Sequence, residues 1–242
     1  MEIHDMHALV TGGGTGIGLG IARELARAGA NVLLCGRRKE VLDAAVAEHP
    51  DLPLRAVSLD TTDREAVNAL FSSLAEQGKS PHIVVNSAGT NIARRRMQDM
   101  EPDEWDQVIQ VNLTGAYNVM YAALPAMRAR RMGIIINISS VAGKRALPLA
   151  GVAYAASKFG ATALGTSVGL EEARNGIRVC NIYPGEVDTP ILDKRLEPVS
   201  PEQRERMVKP EDIGRVVRLM VELPETAHIP ELVIKPLYQE YM

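Results

Sequence analysis

Short apolar runs recur along the chain, and most are followed by a stretch whose apolar positions repeat at helical spacing. The runs at 7–11, 31–35, 54–59, 82–86, 133–139, 177–183 and 231–234 read as strands. The segments 19–28, 40–48, 64–77, 102–130, 154–176 and 210–223 read as helices, with a weaker one from Pro201. In the first helix Leu19, Ala22, Leu25 and Ala26 share a face, and Gly29 closes it. The Ile134-Ile-Ile136 run lacks alternation, which fits a sheet buried on both faces. Strands alternating with helices predict an α/β fold, a doubly wound parallel sheet of about seven strands. Neither a repeat nor a composition break marks a second domain, so residues 1–242 read as one.

Two stretches resist the pattern. Asn112 falls in the middle of the long helix, where its side chain competes with the backbone, and Gly115 follows it. That conflict predicts a kink or a functional role. Residues 186–209 are polar and weakly periodic, and read as a mobile lid over substrate. Residues 235–242 read as a tail.

Ligands of doubly wound sheets bind at the carboxyl ends of the strands, and the chemistry of this chain collects there. The first strand runs into Thr11-Gly-Gly-Gly-Thr-Gly-Ile-Gly18, and a helix follows. Gly12, Gly16 and Gly18 give the spacing G-x-x-x-G-x-G, with Gly14, Thr15 and Ile17 between them. Backbone without Cβ atoms can turn tightly against a pyrophosphate, and the helix N-terminus favours that anion. After the second strand an acidic residue would take the adenosine ribose; here Gly36 is followed by Arg37 and Arg38. A guanidinium forks onto the 2′-phosphate of NADP, whereas plain solvated charge is disfavoured at a helix start. Asp60 ends the third strand, placed to bond the adenine amino group, and Asp63 suits a helix cap. Asn86, Ala88 and Gly89 end the fourth strand, with small side chains against which a ribose can lie. Ser139 and Ser140 end the fifth, and periodicity does not separate them. Pro184 and Gly185 end the sixth.

Tyr154 and Lys158 are spaced to lie on one helical face. A nearby ammonium favours phenolate and lowers the phenol pKa, which predicts a proton donor and acceptor usable near neutral pH. Arg94, Arg95 and Arg96 fall in a polar loop that either is solvated or rims a substrate site.

Composition narrows the classes. Of 242 residues, 46% are hydrophobic and 24% charged, and the net charge of −3 favours neither nucleic acid nor an anionic membrane. Cys35 and Cys180 lie in strand-like runs, which suits a reducing cytoplasm rather than a disulfide framework. No apolar run reaches the ~18 residues of a membrane span, and residues 1–6 do not read as a signal peptide. The five histidines are scattered, so no metal site is expected.

Together these motifs resemble the short-chain dehydrogenase/reductases, from Ala8 to about Ile234. The resemblance rests on the 11–18 glycine loop, Asn86-Ser-Ala-Gly89, Asn112, Ser140, Tyr154-x-x-x-Lys158 and Pro184-Gly185 with Thr189. It implies a Rossmann-type fold and an NADP(H)-dependent oxidoreductase acting on a small carbonyl or secondary alcohol. Tyr154 would be the general acid or base, Ser140 would hold the substrate oxygen, and Lys158 would hold the nicotinamide ribose and lower the Tyr154 pKa. Asn112 would support a proton-relaying water chain. Val187 would join the cofactor contacts, and Thr189 would meet the carboxamide. The resemblance also implies a homo-oligomer, tetramer or dimer, built on the long helices. Two alternatives are a 3-oxoacyl carrier-protein reductase, with Arg128, Arg130 and Arg131 as a docking patch, and a non-catalytic NADP-binding regulator. Residues 227–236 replace the glycine-rich C-terminal stretch usual in the carrier-protein reductases, which favours the small-carbonyl reading.

Overall fold

The computed structural model describes residues 3–195 and 197–240. Its strands are β1 (His7–Thr11), β2 (Asn31–Gly36), β3 (Leu54–Ser58), β4 (Ile83–Asn86), β5 (Gly133–Ile138), β6 (Ile177–Pro184) and β7 (Glu231–Ile234). They form one 7-stranded sheet in the order β3-β2-β1-β4-β5-β6-β7, with every pair parallel. The helices are α1 (Gly16–Arg27), α2 (Lys39–Ala47), α3 (Arg64–Glu76), α4 (Pro102–Ile109), α5 (Gly115–Arg130), α6 (Val152–Glu172), α7 (Pro201–Glu205) and α8 (Pro210–Glu222). This is the doubly wound Rossmann-type α/β fold expected.

Helices α1, α2 and α8 cover one face of the sheet through Ile21, Leu25, Leu42, Ile213 and Val217. Helices α3 and α5 cover the other through Val67, Phe71, Met120 and Met127. Ile134 and Ile136 of β5 join the first layer and Ile135 the second, which is why that run carries no alternation. Each such side chain, fully buried, contributes roughly 1.5–3 kcal/mol. Helices α1 and α8 cross at glycine: a Cβ on Gly20 would lie 2.5 Å from the Pro210 carbonyl carbon.

The long helix expected over 102–130 is two helices joined by a π turn, Gln110–Thr114. The extra residue in that turn rotates Asn112 inward, where it is buried, and brings α5 against the loop after β3. Gly115 permits this, since a Cβ there would lie 2.5 Å from Thr61 Oγ1.

The 186–209 segment is more ordered than its sequence suggests. It holds a 3₁₀ turn, Pro190–Lys194, and α7, and its base is closed by pairing of Val187 with Val208. Asp188 accepts from Arg204 at 3.2 Å and Lys209 at 3.0 Å. Leu196, within the expected lid, and residues 241 and 242 of the expected tail lie outside the described residues. Among the described residues no helix is long and apolar enough to cross a membrane.

Candidate active site

Strand order reverses between β1 and β4, and a cleft of about 600 Å³ opens along the carboxyl ends of the strands. The glycine loop forms one wall through Gly12, Gly14, Thr15, Gly16, Ile17 and Gly18. Gly12 has φ +64°, and a Cβ on it would lie 2.9 Å from Ser87 O; the loop therefore lies flat on the end of β4. A Cβ on Gly18 would fall 2.3 Å from Gly12 O, so α1 starts hard against the loop. Thr15, at the start of α1, makes no side-chain cap bond, and its first turn holds no acid. The glycine floor and this uncapped N-terminus fit a pyrophosphate.

Arg37 and Arg38 line the same cleft beyond β2, both exposed. Asp60 lines it beyond β3, and its Oδ1 accepts from Thr62 N at 2.9 Å and Thr62 Oγ1 at 2.8 Å. Ala88 and Gly89 contribute from β4, and Pro184, Gly185, Val187 and Thr189 from beyond β6. Asn86 is not brought to the cleft. Its Nδ2 donates to Asn137 Oδ1 at 2.9 Å, and Asn137 Nδ2 to Asn181 Oδ1 at 3.2 Å. This buried amide ladder ties β4, β5 and β6 together one layer behind the wall, and Asn86 Oδ1 has no hydrogen-bond partner among the described residues.

Ser140, Tyr154 and Lys158 meet at the centre of the cleft. Gly151 (φ +85°) starts α6, and a Cβ on it would lie 2.6 Å from Arg95 Cβ. Val152 N donates to Arg95 O at 3.1 Å, so the first turn of α6 and its Tyr154 are set by the 91–100 loop. Ser140 hydrogen-bonds the Tyr154 hydroxyl, and Ala142 N donates to Ser140 Oγ at 3.1 Å. Ser139 turns the other way, against Lys158 O at 3.2 Å and Thr162 Oγ1 at 3.1 Å. The structure thus separates the two serines where periodicity did not.

Lys158 Nζ donates to Ile138 O at 2.7 Å and stands 5.5 Å from the centroid of the Tyr154 ring. Burial pulls its pKa down from 10.5 to about 8. The expectation that this ammonium sets a lowered Tyr154 pKa is corrected. Burial dominates and holds the phenol above its usual value, while the Ser140 hydrogen bond and then the Arg95 charge pull it down. The ammonium sits over the ring and is committed to a carbonyl. The protein by itself therefore keeps Tyr154 a protonated donor.

Asn112 also stands behind the cleft. Its Oδ1 accepts from Thr90 N at 2.8 Å, and its Nδ2 donates to Thr90 O and Ser157 Oγ, each at 3.0 Å. Ser157 in turn donates to Tyr154 O at 2.8 Å. The carboxamide joins the π turn, the end of β4 and α6.

Sequence reasoning missed two contributors and left a third open. Thr11 Oγ1 accepts from Ser87 N at 3.1 Å and Ala88 N at 3.0 Å, shaping the β4 turn under the glycine loop. Thr90 anchors Asn112. Arg95, grouped with a polar loop, acts on Tyr154 through its charge. Of the two missed, only Thr11 had a signal, its place at the end of β1 opposite Asn86. Among the described residues no group of three or more His, Cys, Asp or Glu side chains is placed to hold a metal ion.

Comparison with known proteins agrees with this geometry. The short chain dehydrogenase family matches residues 6–199. An uncharacterised oxidoreductase of Staphylococcus aureus (strain USA300) is 33% identical over 232 residues, covering 96% of this chain and 97% of its own. The closed form of a serine dehydrogenase complexed with NADP+ superposes with a TM-score of 0.89 at 28% identity, over 98% of this chain and 97% of that one. An alcohol dehydrogenase from the archaeon Thermococcus sibiricus complexed with 5-hydroxy-NADP gives 0.87 at 27% identity, over 99% and 100%. With the cleft, the serine–tyrosine–lysine centre and the match along most of its length, the chain belongs to the short-chain dehydrogenase family.

Proposed function

We propose that the protein is an NADP(H)-dependent oxidoreductase that exchanges a hydride between nicotinamide and a small carbonyl or secondary alcohol. The observation that carries this reading is the convergence of Ser140, Tyr154 and Lys158 in the cleft that also holds the glycine loop and Arg37. A regulator that only binds a dinucleotide needs the loop and not the centre.

The dinucleotide, when bound, supplies the hydride chemistry. Gly12, Gly14, Gly16 and the N–H groups at the start of α1, with Thr15, Ile17 and Gly18, hold the pyrophosphate. Arg37 and Arg38 take a 2′-phosphate, and Asp60 the adenine. Ala88 and Gly89 floor the ribose, and Pro184, Gly185, Val187 and Thr189 wall the nicotinamide end. Tyr154 donates its proton to the carbonyl oxygen in reduction and recovers it in oxidation. Ser140 fixes that oxygen by a hydrogen bond, and Lys158, with a pKa of about 8, returns the proton near neutral pH. Asn112 acts by holding α6 and Thr90, and Asn86 by tying the strand ends. The 186–209 segment serves as the lid.

The bonding of the three candidate docking arginines supports a small substrate over a carrier protein. Arg128 Nε donates to both carboxylate oxygens of Glu172, at 3.1 and 3.0 Å. Arg130 binds the carbonyls of Met132, Ser80 and Pro81, and Arg131 that of Arg174. All three guanidiniums are committed to their own fold. Helices α5 and α6 present exposed Tyr117, Tyr121, Phe159 and Leu170, the surface proposed to meet another subunit. Two buried, unpaired cysteines suit a cytoplasmic setting. A screen of small ketones followed by NADPH absorbance tests the reading: turnover lost in Tyr154→Phe supports it, and turnover retained above a few per cent rejects it.

A further inference from the structure

Among the described residues, 235–240 after β7 line no part of the cleft, yet they are built tightly onto the back of its wall. Gly185 N donates to Ile234 O at 2.8 Å, which carries the β6–β7 pairing past the last strand. The chain then turns, with Gln239 N on Pro236 O at 3.1 Å and Lys235 Nζ on Gln239 O at 2.6 Å. This returns Tyr238 and Gln239 to the root of the 186–209 segment. Gln239 Oε1 accepts from Glu186 N at 2.9 Å. The approach is so close that a Cβ on Gly185 would lie 2.1 Å from that oxygen. Tyr238 OH donates to Glu186 Oε2 at 2.7 Å, while Arg195 Nη2 donates to Glu186 Oε1 at 2.9 Å. The Arg206 guanidinium stacks on the Tyr238 ring, 4.7 Å from its centroid.

Glu186 is therefore a hub. Its two carboxylate oxygens and its N–H are each held by a different residue, and its carbonyl accepts from Val208 N at 3.2 Å. Two of those partners, Tyr238 and Gln239, come from the tail. The 186–209 segment folds back onto this hub, through Arg195 from its interior and Val208 from its far end, while Arg206 reaches it by way of the Tyr238 ring. Residues adjoining Glu186 on either side, Gly185 and Val187, face the cleft.

We propose that Tyr238 and Gln239 are positioning residues: they clasp Glu186 from behind and so fix the 184–189 wall and the root of the lid where the nicotinamide half of the cofactor meets them. This rests on reading the cleft as an NADP(H) site. The adenosine half belongs to the glycine loop and Arg37, beyond β1 and β2, and the clasp does not touch it. Loosening the clasp therefore weakens one half of the ligand and spares the other. The Tyr238 hydroxyl remains a donor, because burial and then the Glu186 carboxylate push its pKa up to about 12.

The test titrates NADPH and 2′,5′-ADP, which has the 2′-phosphate and no nicotinamide, against the unaltered protein, Tyr238→Phe and the Tyr238→Phe/Gln239→Ala double variant. Hydrogen exchange over 186–195 is followed alongside. The clasp predicts NADPH weakened about tenfold in the double variant, the scale of one hydrogen bond to a charged group, with 2′,5′-ADP unchanged within about twofold. It also predicts faster exchange over 186–195. Equal affinities for NADPH in all three proteins would overturn it. So would parallel losses for both ligands, which mark general destabilisation. If the unaltered protein binds neither ligand, the cofactor reading falls and the clasp with it.

Discussion

Lys158 Nζ lies 2.7 Å from the carbonyl oxygen of Ile138, a buried ammonium on the last residue of β5. Burial depresses its pKa from 10.5 to about 8, so the folded protein binds this proton less readily than the unfolded chain. As pH falls from 10.5 toward 8 the unfolded chain protonates first, and stability is lost across that window. At neutral pH the full penalty stands, on the order of 3 kcal/mol before the Ile138 bond offsets part of it. Lys158→Met is therefore expected to raise the melting temperature at pH 7 by several degrees while abolishing turnover. The gain should shrink as pH rises past 8. A melting temperature that stays level or drops at pH 7 would show that the hydrogen bond outweighs burial.

Tyr154→Phe removes the hydroxyl that Ser140 holds and leaves the ring in its packing. NADPH affinity should stay within about twofold, and kcat should fall by 10² or more, the usual worth of a positioned general acid. Fluorescence titration of NADPH and single-turnover kinetics separate the two. Because burial raises the pKa of this phenol, carbonyl reduction should not require acid pH. A reduction rate that rises steeply only below neutrality would count against Tyr154 as the donor.

Much of this was legible because parallel strands announce themselves. Short β-branched runs such as Ile134-Ile-Ile136, with Gly133 before and Ser139 after, suit a strand covered on both faces, and the strand ends carry their chemistry in chain order. The glycine loop was readable for the same reason: backbone geometry fixes which positions tolerate no Cβ. What stayed hidden depends on where side chains point. Asn112 announced a local conflict, yet only the fold turns that conflict into a π turn with the carboxamide bonded to Thr90. Lys158 and Tyr154 were correctly placed on one face, but the spacing cannot weigh burial against charge, and burial prevails. The 186–209 segment looked featureless because its order comes from contacts distant in sequence, Asp188 with Lys209 and Glu186 with Tyr238.

Arg37 and Arg38 follow β2 at the edge of the cleft, both exposed and so free to reorient toward a phosphate. Arg37→Asp replaces a donor fork with a carboxylate that repels a 2′-phosphate and accepts from ribose hydroxyls. NADPH affinity should fall by about tenfold or more, and NADH affinity should rise. The NADPH loss should be larger at low ionic strength, because exposed charges are screened by salt. Unchanged affinities for both cofactors would remove Arg37 from phosphate recognition.

The opposite end of the sheet carries a pH-sensitive contact. His7 N donates to Nδ1 of His82 at 3.1 Å, so this nitrogen must be unprotonated, and the two rings stack with centroids 6.1 Å apart. Burial first, then the charges of Lys79, Arg55 and Arg130, lowers the His7 pKa below 6.5; burial, Arg130 and His7 do the same to His82. His228 is lowered by burial and Arg178. For each, the unfolded chain takes up a proton before the folded protein does, so stability falls as pH drops below 6.5 and through the folded values. At this size each kcal/mol lost moves the melting temperature by about 2–4 °C. His82→Asn keeps an acceptor for His7 N and removes the titration. It should flatten the decline between about pH 6.5 and 5 relative to the unaltered protein, with little change at pH 8. If the two melting curves descend in parallel, the proton taken up on unfolding belongs to other groups.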